Sequence, residues 1–267
     1  MKLTIQNLTY SINDTVIVSD VGLNIKKGEF VGLIGPNGCG KSTLLKNIYR
    51  VLSPDAGSIY LDETDIRTMK SKELARKMSV MIQENNVEFD MNVLDMVLLG
   101  RYAHKKMLGN MTPEDYEIAR KALEEVGMAE YEERSFLSLS GGEKQRILIA
   151  RVLAQQTDFI ILDEPTNHLD IQYQFQIMDI LKSQDATVFS SVHDLNIAGY
   201  YCDRIIVMKK GRIIHCGAPE EVLTSQIIDE LYHIRSEIRE NKYTGRKQVY
   251  YIPNSANIST CAVTENL

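Results

Sequence analysis

The sequence predicts an α/β fold with an N-terminal antiparallel β-region and a helical subdomain inserted part-way along the chain. Three observations predict it. Short apolar runs (GEFVGLIG, DFIILDEP and TVFSSVHD) read as buried strands, and each leads into a segment of helical spacing. The first residues alternate apolar and polar with a period of two, as half-buried strands do. Residues 85–135 read as helix with no convincing strand. With 267 residues, 44% hydrophobic and 25% charged, the chain has the material for a real core, and its composition argues against disorder.

The elements follow in order. KLTIQNLTYS and VIVSDVGLNI are the opening strands, and GEFVGLIG is a buried strand feeding a glycine turn. KSTLLKNIYRVL then shows helical spacing at Leu44, Leu45, Ile48 and Leu52. In the helical stretch, Thr112-Pro113-Glu114-Asp115 is a helix start: a cap, proline at the first position, then acids facing the helix dipole. After residue 139 come helix (GGEKQRILIARVLAQ), strand (DFIILDEP), helix (QYQFQIMDILKSQ), strand (TVFSSVHD) and helix (LNIAGYYCD). IIVMKKGRIIHCG reads as a hairpin with a glycine turn, and PEEVLTSQIIDELY as a helix. The last residues, IPNSANISTCAVTENL, are polar and patternless, and no internal repeat is found.

Charge and cysteine usage remove several classes. Thirty basic against 36 acidic residues, a net charge of −6, speak against a nucleic-acid partner. Cys39, Cys202, Cys216 and Cys261 are scattered without CxxC spacing, which fits a reducing cytosol better than a zinc site or a disulfide framework. MKLTIQNLTYSINDT lacks the apolar core of a signal peptide, and no apolar run approaches the ~18 to 20 residues of a membrane span.

Three motifs carry chemistry. GPNGCGKST, residues 35–43, matches G-x-x-x-x-G-K-[ST] at Gly35, Gly40, Lys41 and Ser42. Its glycines let successive backbone N–H groups surround an anion, and the helix that starts there turns its positive end to the same anion. Lys41 adds a full charge toward the β- and γ-phosphates, and the Ser42 hydroxyl suits Mg²⁺. The second motif, IILDE, ends a buried strand in two carboxylates. Asp163 is placed to hold Mg²⁺, and Glu164 to orient or deprotonate an attacking water. In the third, LSGGE, Ser140 and Glu143 form a capping box, which leaves Gly141 and Gly142 unexplained; two glycines permit close approach of a second helix N-terminus to phosphate.

These motifs, in this order, resemble the ATP-binding subunits of ABC transporters over about residues 1–225, with Glu143 where the LSGGQ signature has Gln. The resemblance implies a P-loop NTPase fold of the ABC type, with ATP and Mg²⁺ as ligands. It implies nucleotide contacts along Gly35, Pro36, Asn37, Gly38, Cys39, Gly40, Lys41, Ser42 and Thr43. It implies that Tyr10, 25 residues ahead of Gly35, stacks on adenine. Gln83 matches the Q-loop glutamine that touches Mg²⁺ and water, Asn167–Asp170 the D-loop, and His193 the switch histidine at the γ-phosphate. VLDMVLLGRYAHK, PTNHLDIQYQ and HDLNIAGYYCDRIIVMKKGRI further resemble the ATPases of importers for ferric siderophores, haem and vitamin B12.

The resemblance implies that ATP on Lys41 of one copy is covered by Ser140, Gly141 and Gly142 of a second, in an ATP-sandwich homodimer. It also implies an integral-membrane permease docked near Val87–Arg101, indirectly a substrate-binding protein, and a peripheral place on the cytoplasmic face of the membrane. The expected domains are 1–240, the ATP-binding domain with its helical subdomain at about 85–155, and 241–267, an extension of no assigned role. A zinc or manganese importer ATPase, a soluble ABC ATPase such as an iron–sulfur assembly factor, and a nucleotide-dependent binding module without turnover are the alternatives. Glu164 together with His193 argues against the last.

Overall fold

The computed structural model describes residues 1–82, 90–105, 109–167 and 169–253. Strands β1 (Leu3–Ile12) and β2 (Thr15–Ile25) pair antiparallel, from Leu3 opposite Ile25 to Ile12 opposite Thr15. Asn13 and Asp14, both at positive φ (47° and 62°), make the two-residue turn that right-handed strand twist favours. Strand β3 (Phe30–Ile34) feeds the glycine loop and helix α1 (Lys41–Ile48). The helix stops short of Leu52. Arg50 takes up a left-handed conformation (φ 63°), and the N–H of Val51 reaches back to Lys46 O at 3.0 Å. Its guanidinium holds this turn by donating to Ile66 O (2.8 Å) and Met69 O (2.6 Å).

The next elements were not anticipated from sequence: β4 (Ala56–Leu61), β5 (Thr64–Asp65), α2 (Ser71–Lys77) and β6 (Ser79–Met81). The helical stretch contains α3 (Val93–Leu98), a 3₁₀ segment over 99–103, α4 (Pro113–Glu125) and α5 (Gly141–Ala154). Thr112 caps α4 as expected and forms a capping box with Asp115, and Ser140 and Glu143 form the capping box expected at α5. Then come β7 (Phe159–Asp163), α6 (Ile171–Ser183), β8 (Thr187–Ser191), α7 (Leu195–Tyr201), β9 (Arg204–Lys209) and β10 (Arg212–Gly217). PEEVLTSQIIDELY divides into α8 (Pro219–Val222) and α9 (Ser225–Tyr232), because extended Thr224 caps a new helix by accepting from Ile227 N–H. A final hairpin, β11 (Arg235–Glu240) with β12 (Lys247–Ile252), was also not anticipated, and the expected division at 240/241 falls in its turn.

The main sheet has strand order β10-β9-β3-β8-β7-β6, parallel except for the β9–β10 pair. Residues of β3 are buried on both faces, the signature of a covered parallel sheet. Val31 and Leu33 pack with Leu44, Leu45 and the antiparallel sheet β2-β1-β4-β5, whereas Phe30 and Ile34 join Ile147, Ile177 and Leu195 of the helices opposite. Each fully buried Leu, Ile or Phe stabilises these layers by roughly 1.5–3 kcal/mol. The C-terminal hairpin closes on α7: Val249 N–H donates to Asn196 Oδ1 at 2.7 Å, and Asn196 Nδ2 to Val249 O at 3.3 Å. No helix among the described residues is long and apolar enough to cross a membrane.

Candidate active site

The parallel topology brings the C-terminal ends of β3, β7 and β8 side by side, the crevice where open α/β sheets hold ligands. Directly beyond them follow the glycine loop, Glu164 and His193. Together they line a cleft of about 580 Å³, with Asn37, Gly38 and Gly40–Thr43 on the loop side and Glu164, Asn167 and His193 facing them. Ile12 and Ile17 of the β1–β2 hairpin complete the lining.

The loop is held by its own lysine. Lys41, almost fully buried, donates from Nζ to Gly35 O (2.8 Å) and Pro36 O (3.3 Å). Gly40, at φ 105°, allows the hairpin to press on the loop: a Cβ there would lie 2.9 Å from Ile17 O. Within the loop, Cys39 is buried in the core beneath it; burial pushes its thiol up, against the lowering influence of Lys41. Cys39, Cys202 and Cys216 are free.

Opposite the loop, a polar network fixes the acids. Ser191 Oγ donates to Asp163 Oδ1 at 2.7 Å and accepts from Glu164 N–H at 2.8 Å, clamping the end of β7 to β8. Glu164 has a left-handed backbone (φ 56°), which is costly for a residue with a side chain and tends to occur where function demands it. Its carboxylate is 8% exposed; Asn167 Nδ2 donates to Oε2, and His193 Nε2 lies 2.8 Å from Oε1. An ionised carboxylate only accepts, so this contact is a hydrogen bond in the tautomer that carries its proton on Nε2. Gln145 of α5 donates to Pro165 O at 2.9 Å, joining the helical layer to this corner.

Among the described residues, no cluster of three or more His, Cys, Asp or Glu is arranged to hold a metal unaided. Ser42 lines the cleft, whereas Asp163, buried at the end of β7, is not among its lining residues; a hydroxyl and a carboxylate are both hard-oxygen donors. Such donors suit Mg²⁺ when phosphate oxygens and water complete its shell. Gln83, the third expected ligand, lies outside the described residues, as do His168 of the D-loop and Val87–Phe89 of the expected docking segment.

Other expected residues stand apart from the cleft. Ser140 and Gly141 are exposed at the start of α5, where Ser140 N–H donates to Glu143 Oε2 at 2.8 Å. The backbone N–H and then the hydroxyl of Ser140 hold the Glu143 carboxyl below its usual range. Asp170 is the exposed residue preceding α6. Tyr10 is half-buried against the core beneath the antiparallel sheet, and Ile12 and Ile17 take the cleft position. Sequence reasoning missed Ser191, Gln145 and these two isoleucines. Serines inside the otherwise apolar run TVFSS, and Asn13-Asp14 as a turn signal, were the clues.

The profile of the ABC transporter family matches residues 18–167. The iron(3+)-hydroxamate import ATP-binding protein FhuC of Bacillus subtilis (strain 168) is 40% identical, over 92% of this chain and 93% of its own length. A metal-chelate type ABC transporter in an inward-facing conformation superposes with a TM-score of 0.80 at 28% identity, over 94% of this chain and 97% of that one. An ATP-binding cassette in a dimeric post-hydrolysis state bound to ADP and Pi gives 0.71 at 30% identity, over 81% of this chain and 98% of that one. With its phosphate loop, acidic strand end and histidine set around one cleft, the chain belongs to the ABC transporter family as an ATP-binding cassette.

Proposed function

We propose that this chain is the ATP-hydrolysing subunit of an importer, and that it energises uptake of a ferric siderophore through a membrane permease. The observation that carries the ATPase reading is the convergence of Lys41, Ser42, Glu164, Asn167 and His193 on one cleft. The siderophore reading rests on the likeness to the hydroxamate import protein and to the metal-chelate transporter.

The loop N–H groups and Lys41 bind the β- and γ-phosphates. Mg²⁺, held by Ser42, Asp163 and Gln83, would neutralise charge on the transferred phosphoryl group. Glu164, oriented by His193 and Asn167, accepts the proton of the attacking water at its carboxylate. His193 thereby reports on the γ-phosphate.

Ser140, Gly141, Gly142, Glu143 and Asp170 do not line the cleft of their own chain, which supports their serving a second copy across two shared nucleotides. The ADP-bound cassette is itself a dimer, as this reading requires. Hydrolysis removes the γ-phosphate contacts and so favours the open pair.

A groove of about 410 Å³, lined by Leu74, Ala75, Met78, Leu99, Gly100 and neighbours, is the surface for a short cytoplasmic helix of the permease. In this reading residues 1–240 are the ATPase domain, with a helical subdomain at about 85–155. The complex sits on the cytoplasmic face of the membrane, and a substrate-binding protein delivers the cargo.

The test is Glu164→Gln. The variant should bind ATP with wild-type affinity, release phosphate at least about 100-fold more slowly, and elute as a dimer when ATP is present. Phosphate release at the wild-type rate would remove Glu164 from the chemistry.

A further inference from the structure

The family resemblance assigns the adenine contact to Tyr10; in the structure Tyr10 does not line the cleft, and Ile12 and Ile17 do. We infer that the base of the bound nucleotide lies on an aliphatic shelf of Ile12 and Ile17, with no ring beneath it. The cleft then grips the triphosphate and scarcely reads the base. This rests on the nucleotide-binding reading above and specifies its base subsite.

The shelf is built by the hairpin. The Asn13-Asp14 turn makes Ile12 and Thr15 the closing pair of β1 and β2. Below it the register shifts: Ser11 faces Val16 and Tyr10 faces Val18, so Ile17 is the extra residue of a bulge. Bulges re-aim side chains beside functional sites. Here Ile12 and Ile17 line the cleft, Ile17 while also packing on the sheet core, whereas Tyr10 packs on that core without lining the cleft.

The tip is also fastened to the loop. Ile17 O lies 2.9 Å from where a Cβ on Gly40 would be and 2.5 Å from one on Gly211. Ser19 N–H donates to Gly211 O at 2.8 Å. The shelf therefore has a set position relative to Gly38 and Gly40–Thr43.

Ile12 is 47% exposed, a large apolar side chain left open beside an anion-binding loop. A ligand that gives phosphates to the loop and an apolar ring face to Ile12 is a nucleoside triphosphate. No Phe, Tyr or Trp is among the described residues lining the cleft, and its polar lining belongs to the phosphate loop and to Glu164, Asn167 and His193. Hydrogen-bond readers of a base edge are thus missing from the described lining around Ile12 and Ile17. Discrimination of tenfold or more between adenine and guanine needs such readers, because apolar contact separates similar ligands poorly. An aromatic platform strengthens base binding by roughly tenfold whatever the base.

The test is equilibrium binding by calorimetry, with the purified full-length chain and no reliance on turnover. ATP and GTP should bind within about threefold of each other, and Tyr10→Leu within about twofold of wild type. Ile12→Tyr, which installs the missing platform, should tighten ATP by roughly tenfold. ATP preferred over GTP by more than tenfold would overturn the inference, as would an Ile12→Tyr variant that binds ATP no better. Tenfold weaker ATP binding by Tyr10→Leu with an unchanged melting temperature would return the stack to Tyr10. Inorganic tripolyphosphate and Lys41→Ala separate the two levels. If tripolyphosphate competes with ATP and Lys41→Ala abolishes both, the phosphate site stands and only the base assignment is at risk. If the wild type binds neither, the nucleotide reading itself is wrong.

Discussion

Glu164 and Asp115 show two ways in which this chain holds a buried carboxylate. Glu164 is held strained at the cleft by Asn167 and His193, where it can act. Asp115 is purely architectural. Its Oδ1 accepts from Arg101 Nε at 2.9 Å, with both side chains nearly buried, and its Oδ2 accepts from Thr112 N–H at 2.9 Å. The Thr112 backbone N–H first, and then Arg101 and the Thr112 hydroxyl, bring the Asp115 pKa down to about 2, against the opposing effect of burial. A depressed carboxyl pKa stabilises the fold fully above the unfolded-state value of about 3.9, and the stabilisation is lost as pH falls through the folded value. Asp115→Asn, which removes the carboxylate charge facing the nearly buried Arg101, should destabilise the protein by roughly 3 kcal/mol at neutral pH. Urea midpoints at pH 7 and pH 3 check the cause. The gap between wild type and variant should shrink by about half at pH 3, and an undiminished gap would mean that the carboxylate charge is not responsible.

At the scale of elements, GRYAH was read as a family marker, and its physical role appears only in three dimensions. Gly100 lets the 3₁₀ segment lie against α5, Arg101 Nη1 donates to Ala154 O at 2.8 Å, and His104 Nε2 lies 2.8 Å from Gln155 O. The motif thus occupies carbonyls at the end of α5 that have no partner within the helix. A Cβ on Gly100 would lie 2.3 Å from Arg151 O, which is backbone and cannot rotate away. Gly100→Ala should therefore destabilise the protein by about 1–3 kcal/mol; scanning calorimetry should record a melting temperature lower by roughly 3–8 °C. Caps were legible in the sequence because they are local: Thr112-Pro113 and Ser140 with Glu143 each state their geometry within four residues. The end of α1 was not legible. The left-handed turn at Arg50 depends on carbonyls of Ile66 and Met69, which are distant in the chain.

For the whole molecule, GEFVGLIG, DFIILDEP and TVFSSVHD were legible as buried strands, and their parallel pairing sets the phosphate loop, Glu164 and His193 along one crevice. Parallel strands with helical crossovers leave few alternatives. The edge elements were beyond reach. Strands β4 and β5 and the β11–β12 hairpin are short and mixed in polarity, and they are specified by the surfaces they cover. That Tyr10 does not line the cleft was hidden for a related reason: a register shift cannot be read from alternation alone. At this scale the groove beside α2 gives the remaining prediction. Leu99, 38% exposed, lines this groove and not the nucleotide cleft, so Leu99→Asp should hydrolyse ATP at the wild-type rate in solution. Cells carrying it should nevertheless lose ferric-siderophore uptake, and undiminished uptake would place the permease elsewhere. The clasp between Val249 and Asn196 has its own consequence. Asn196 lies three residues after His193, so the last described strand braces the base of the helix that follows this cleft-lining histidine. Shortening this chain to a minimal cassette at residue 240 would unlatch that brace, and the ragged end so created would loosen the catalytic corner from behind.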